Sequence, residues 1–330
     1  MPAYLDTPEL SHALEQFEHS LRDIFADQDG LLATEAARLI TAGGKRLRPA
    51  LLMAVCLSYG KTIDERILAC CRAVELVHLG TVVHDDIIDG AERRRGQGSS
   101  PQDVGLAQAL LVGDYLLATA SQEAAAAGTT CADLLAQTIV TMCKGQSQEI
   151  EQTYNTTTTP ELYLSTISQK TGSLFAAACQ FGALQADRPQ PEIRKWQLFG
   201  DNLGISFQLA DDLLDIVSDE ATLGKPVWSD IPNGVYGAAV LHTLASKQRT
   251  NLIELLPMKR GDTLAKAELV DLLTVSGTFT AALSQITSHN SAAGVALEEL
   301  PKSAILTELS NLPGRLLEEL FKKDILGVLK

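Results

Sequence analysis

Two clusters of aspartate stand inside runs otherwise too apolar to tolerate them. Asp85, Asp86 and Asp89 end a stretch in which Val74, Leu76, Val77, Leu79, Val82, Val83, Ile87 and Ile88 leave scarcely a polar gap. Asp85 and Asp89 are i and i+4 on a helix, hence on one face about a turn apart. Two ionised carboxylates that close repel each other, and burying them unpaired is costly. The same DDxxD spacing returns at Asp211, Asp212 and Asp215, again within an apolar run, where Asp201, Gln208 and Asp219 add to a polar stripe. Arg93, Arg94 and Arg95 follow the first cluster at once, but a short arginine segment cannot fully neutralise a buried pair. A divalent cation can. Carboxylate-only ligands select a hard ion, Mg2+ or Mn2+, over zinc. Two such helices facing each other would make an acidic, metal-filled mouth over an apolar interior.

The elements that must position these residues read as helices. Helical spacing covers residues 8–42 and stops at Gly43–Gly44; LRPALLMAVCLSYG starts the next helix, with Pro49 suited to a first turn. A long central helix runs from about Glu65 to Asp89. GAERRRGQGSSPQDVG reads as a loop, Leu106–Ala127 and Ala132–Glu151 as helices, and Thr159–Pro160 as the opening of another. Residues 192–218 are helical by spacing, and Ser218–Gly237 is a loop long and charged enough to be functional. Beyond it, short helical patterns alternate with breaks at Pro257, Pro301 and Pro313. No strand alternation or fixed repeat is visible. The expected fold is all-α: a single large helical bundle around a central cavity, one domain over residues 1–330. Its motif-bearing core spans about 40–240, with a helical C-terminal part at 241–330.

The totals narrow the partners. The chain has 330 residues, 45% of them hydrophobic, ample for a large core. A net charge of −14 argues against nucleic acid or an anionic membrane surface. None of the six cysteines forms CxxC or a zinc-like cluster with histidine, so buried, reduced thiols are expected. The N-terminus has neither a secretory nor a basic transit pattern, and no stretch of about 18 apolar residues lacks a charge. A cytoplasmic chain without a transmembrane segment is the expectation.

The ordered motifs GGKRLRP (Gly43–Pro49), ELVHLGTVVHDDIIDGAERRRG (Glu75–Gly96), GDYLLA (Gly113–Ala118), KTGSLF (Lys170–Phe175), FQLADDLLD (Phe207–Asp215) and GKPVWSD (Gly224–Asp230) resemble the trans-type isoprenyl diphosphate synthases, the polyprenyl synthetase family. The resemblance implies condensation of isopentenyl diphosphate with an allylic diphosphate by ionisation, attack and proton loss, in a homodimer. It implies that Asp85, Asp89 and Asp211 carry the metal ions, with Asp86, Asp212 and Asp215 in support. Lys45, Arg48, His78 and Arg95 match contacts to the diphosphate of isopentenyl diphosphate, and Arg94, Lys170 and Lys225 contacts to the allylic diphosphate. Arginine suits that work through its planar fork. Thr171 and Gln208 match positions whose oxygens face the allylic cation.

Product length is read from the helix before Asp85. Short-chain members carry a bulky aromatic four or five residues earlier; here Thr81 and Gly80 stand there, with Val77 a turn beyond. At a rise of about 1.5 Å per residue, Thr81 lies about 6 Å and Val77 about 12 Å from Asp85, leaving room for a product of about C30 to C50. Two departures sit beside the phosphate-binding parts: Gly98 and Pro101 after RRG, and Trp228 where the family's GKPxGxD loop has glycine. Competing readings are a short-chain farnesyl or geranylgeranyl diphosphate synthase, a class I terpene cyclase, and a regulatory subunit of a heteromeric synthase. A cyclase needs no second diphosphate pocket, and regulatory subunits usually lose aspartates that this chain keeps.

Overall fold

The computed structural model describes residues 7–94, 96–218, 228–257 and 262–321. Arg95 and Lys225 therefore lie outside the described residues, as does the part of the expected 218–237 loop from 219 to 227. Among the described residues the only strands are two residues long, and all other regular structure is helical. The chain divides into two compact units, one of Met1–Val140, Leu174–Gly200 and Ala296–Leu312, the other of Thr141–Ser173, Asp201–Val295 and Pro313–Lys330.

The first unit is built on α1 (Pro8–Asp23), α2 (Leu31–Thr41), α3 (Leu47–Ser58), α4 (Glu65–Ile88), α5 (Ser100–Val104) and α6 (Leu106–Ala127). The helical spacing expected across 8–42 is two helices, because Gly30, at φ 104, takes a conformation closed to ordinary side chains. Helix α4 forms because Asp64 caps it, accepting from the Ile67 N–H at 2.9 Å, and its apolar residues point in every direction. It ends because Gly90 turns left-handed at φ 61. Cys70, Ala73, Val74, Leu76, Val77 and Val83 of α4 are fully buried. Each such aliphatic side chain stabilises the fold by roughly 1.5–3 kcal/mol. Although α4 is long and apolar enough to cross a membrane, 72% of its most apolar window is buried within the protein.

The expected loop after α4 is more ordered than its composition suggests. Arg93–Arg94 (β1) pairs antiparallel with Gln97–Gly98 (β2), and α5 follows. Gly96, at φ 78, supplies the left-handed residue of the turn.

The second unit holds the later part of α7 (Thr129–Gln152), α8 (Pro160–Ile167), a π-helical turn at Ser168–Gly172 and the later part of α10 (Gln190–Val217). The remainder of Ser173–Gln185 (α9) and the start of α10 belong to the first unit. Helices Ala238–Leu244, Arg249–Leu255, Thr263–Val275 and Thr278–Leu297 complete the second core, where Tyr163, Leu209, Leu213, Trp228, Val240 and Phe321 meet. Pro313, expected to break a helix, sits inside Ala304–Leu320, because the leucine face at Leu306, Leu309, Leu312 and Leu316 is buried through it. All six cysteines are free thiols; Cys143 on α7 is exposed and the other five are buried.

Candidate active site

In the first unit the aspartates divide by environment. Asp86 is 2% exposed and accepts from Arg94, from Nε at 2.9 Å and also from Nη2. The hairpin makes this possible, since it folds the arginine run back toward the end of α4. Asp85 is half-buried and Asp89 exposed, and the Asp89 N–H donates to the Asp85 carbonyl at 2.8 Å. His84 leans the other way: its ring N–H reaches the Leu110 carbonyl at 3.3 Å, with Asp114 at 3.6 Å. A Cβ on Gly113 would collide with that ring, so the glycine of GDYLLA is what lets α4 and α6 close on His84. Gly80 faces α6 too. A Cβ there would lie 3.2 Å from Leu117 Cγ and 3.1 Å from the Gly113 carbonyl, so Leu117 already fills the space beside it. Thr81 is half-buried and donates to the His78 carbonyl at 2.9 Å; Val77 is fully buried.

The GGKRLRP turn separates its cations. Arg46, at φ 47, is buried and spends its guanidinium on Glu18 (2.7 Å), Glu75 (2.6 Å) and the Ile40 carbonyl (2.7 Å). That lock fixes the turn and leaves Lys45 exposed. Arg48 differs: its Nε is buried without a hydrogen-bond partner, and its guanidinium lies 4.4 Å from the Phe175 ring centroid. Burial pushes Arg48 down to about 10, against the opposing pull of Glu75. A half-buried guanidinium with one nitrogen buried and unsatisfied fits an anion. His78 is half-buried one turn after Glu75.

The hairpin is braced by residues the motifs do not include. Glu35 of α2 is 5% exposed and accepts from Arg38 at 2.7 and 2.6 Å and from the Ser100 hydroxyl at 2.6 Å. Arg38 reaches on to Gln97 at 3.4 Å and Asp103 at 3.5 Å. Gly98 leaves room for the Asp103 carboxylate, which a Cβ there would displace.

In the second unit α10 carries Gln208, Asp211, Asp212 and Asp215. Asp215 is 3% exposed and accepts from the Ser229 hydroxyl at 3.0 Å and from the N–H groups of Ser229 and Asp230, both at 3.2 Å. The Trp228 N–H donates to the Asp215 carbonyl at 3.1 Å. Trp228 is left-handed at φ 59, which explains why glycine suits this place in the resembled motif. Asp212 accepts from the Tyr163 hydroxyl on one oxygen and from Gln208 Nε2 at 2.8 Å on the other. Burial pushes its carboxyl up to about 6, although Tyr163 and Gln208 both favour the charged form. Asp211 is half-buried.

The π turn brings Lys170 and Thr171 onto this unit's site. Lys170 pairs with Glu149 of α7 at 2.5 Å, and the Thr171 hydroxyl donates to Gln208 Oε1 at 2.9 Å. A Cβ on Gly145 would sit 2.5 Å from the Lys170 backbone nitrogen, so that glycine lets the turn approach α7. Tyr163, Glu149 and Glu35 are the contributors that motif spacing misses. Tyr163 looks like one more core aromatic in sequence, and the acids look like solvated helix surface.

Among the described residues no three histidine, cysteine, aspartate or glutamate side chains cluster tightly enough to hold a metal by themselves.

The polyprenyl synthetase family profile matches residues 30–273. The chain is 37% identical over 240 residues to heptaprenyl diphosphate synthase component 2 of Geobacillus stearothermophilus, covering 72% of this chain and 75% of that one. It is 33% identical over 271 residues to the short chain isoprenyl diphosphate synthase of Methanocaldococcus jannaschii, covering 80% and 82%. Among solved structures, a polyprenyl synthase from Caulobacter crescentus, complexed with calcium and isoprenyl diphosphate, matches with a TM-score of 0.85 at 28% identity over 94% of this chain and 96% of that one. The chain belongs to the polyprenyl synthetase family of prenyl-transferring enzymes.

Proposed function

We propose that this chain condenses isopentenyl diphosphate head to tail (1′-4) with an allylic diphosphate to give an all-trans polyprenyl diphosphate, with Mg2+ as cofactor. The observation that carries the reading is the division of labour within each aspartate motif. Asp86 and Asp215 are buried against their own protein partners and Asp212 has both oxygens engaged, whereas Asp85 and Asp211 are half-buried and Asp89 exposed at the family's ligand places. When bound, Mg2+ would offset the charge that gathers on the leaving diphosphate.

The chain's own residues do the rest. Lys45, Arg48 and His78, together with Arg95, hold the diphosphate of isopentenyl diphosphate; the under-satisfied guanidinium of Arg48 supports this assignment. Arg94, Lys170 and Lys225 hold the allylic diphosphate. Thr171 and Gln208 turn oxygens toward the allylic cation, whose lifetime depends on excluding water. The double bond of isopentenyl diphosphate attacks that cation, and the proton leaves to the departed diphosphate.

Thr81, small and half-buried one helical turn before Asp85, supports a product of about C30 to C50, taken at about 1.5 Å of helix per residue. The exposed Leu106, Leu110 and Leu111 of α6 support a homodimer built on that helix. The free thiols suit the cytoplasm.

Purified chain incubated with labelled isopentenyl diphosphate and allylic primers of several lengths, with and without Mg2+, tests the reading. Label should enter an apolar product only when primer and metal are both present. No incorporation overturns it. Incorporation only after adding a second polypeptide makes this a subunit of a heteromer, and primer hydrolysis or cyclisation alone makes it a cyclase.

A further inference from the structure

A side-chain amide has two nearly isosteric ends, and only its hydrogen bonds decide which way it faces. Gln208 is held at both ends. Its Oε1 accepts from the Thr171 hydroxyl at 2.9 Å, and its Nε2 donates to Asp212 Oδ1 at 2.8 Å. An ionised carboxylate only accepts, so Asp212 selects the NH2 end. The remaining Asp212 oxygen, Oδ2, accepts from the Tyr163 hydroxyl. The backbone at Gly237 closes the same side, since a Cβ there would lie 2.8 Å from Oδ2. Tyr163 is 6% exposed and part of the second core, so its ring is fixed by packing.

We propose that Tyr163 is a positioning residue that, by holding Asp212, fixes the Gln208 amide with its oxygen toward Thr171. This rests on the proposed prenyl transfer only for its kinetic consequence; the geometric claim stands apart from it. With the phenol hydroxyl gone, Asp212 swings or takes a new partner and the Gln208 amide samples both orientations. The flipped orientation presents N–H groups where oxygen is needed.

The test pairs Tyr163→Phe with a readout of the amide itself. In protein labelled with 15N-glutamine, the Gln208 side-chain NH2 pair is assigned by its loss in Gln208→Ala. It should shift or broaden in Tyr163→Phe and return in Tyr163→p-aminophenylalanine, which restores a donor at the same point. An unchanged pair in Tyr163→Phe overturns the proposal. So does a pair that stays displaced in the p-aminophenylalanine protein, which also decides the matter if Tyr163→Phe fails to fold. In the prenyl-transfer assay kcat should fall about tenfold with KM for both diphosphates unchanged, and Tyr163→Phe should add nothing in the Gln208→Ala background. Additive losses there overturn the route through Gln208. A wild-type chain that transfers no prenyl group defeats the proposed function and leaves the amide resonance to decide this one.

Discussion

Arg94 and Asp86 illustrate how adjacent aspartates acquire different jobs. Asp86 is 2% exposed against Arg94, while Asp85 and Asp89 sit at more open points of the same helix end. Substituting each aspartate by asparagine should therefore separate into two classes. Asp85→Asn, Asp89→Asn and Asp211→Asn should cut turnover by about 100-fold or more with little change in Tm, since in the proposed reaction they hold the Mg2+ that would offset charge on the leaving diphosphate. Asp86→Asn and Asp215→Asn should lower stability by about 1–2 kcal/mol, because each buried carboxylate gives up charge-assisted hydrogen bonds for weaker ones. Thermal unfolding measured beside the prenyl-transfer rate distinguishes the classes; equal Tm losses across the set would remove the division. Trp228 is a different kind of residue. Its left-handed backbone costs about 1–2 kcal/mol in a side-chain-bearing residue. Burying the indole ring works against that cost, although its N–H is buried without a hydrogen-bond partner. The fold keeps the Asp215 contacts of Ser229 and Asp230 with tryptophan in this place.

At the scale of elements, α2, the hairpin and α5 act as one brace through Glu35. Burial pushes the Glu35 carboxyl up, but its bonds from Arg38 and Ser100 outweigh that and hold it below the ordinary value of 4.5. A carboxyl depressed in the fold contributes stability above its unfolded value and loses it as pH falls through the folded one. Glu35→Gln should therefore lower stability at neutral pH by about 2 kcal/mol, and the Tm gap from wild type should narrow steadily below about pH 4.5. A gap that does not depend on pH would dismiss the brace. How much of this was legible follows from the same elements. Helix α4, α6 and the long α10 could be read directly, because their apolar spacing is a local signal. The two-residue strands could not, since RRRGQG carries no alternation and forms a hairpin only through Gly96 and the α2 contacts. The aspartates announced themselves by clashing with their surroundings, whereas Tyr163 and Glu35 matched theirs and stayed hidden. Gly80 and Thr81 were legible as small, but not that Gly80 turns to Leu117. Thr81→Phe is thus the sharper probe of the product channel: it should shorten the product by one or more isoprene units, read by chromatography of the dephosphorylated alcohols. An unchanged length would place the channel elsewhere.

For the whole molecule, the net charge of −14 keeps copies apart in general, so any stable pairing has to come from local apolar surface. Leu106, Leu110 and Leu111, between 49% and 62% exposed, give α6 such a surface. Light scattering should return twice the chain mass, and Leu110→Asp should weaken the dimer by about 2 kcal/mol or more, a shift toward monomer at low concentration. A wild-type monomer would count against the homodimer. The thiol distribution has a practical corollary. With Cys143 exposed and Cys56, Cys70, Cys71, Cys131 and Cys179 enclosed, a maleimide fluorophore added to the folded, unmutated chain should attach at one position on α7. Peptide mapping should find the dye there alone, which would make the native sequence its own singly labelled reagent for optical titrations.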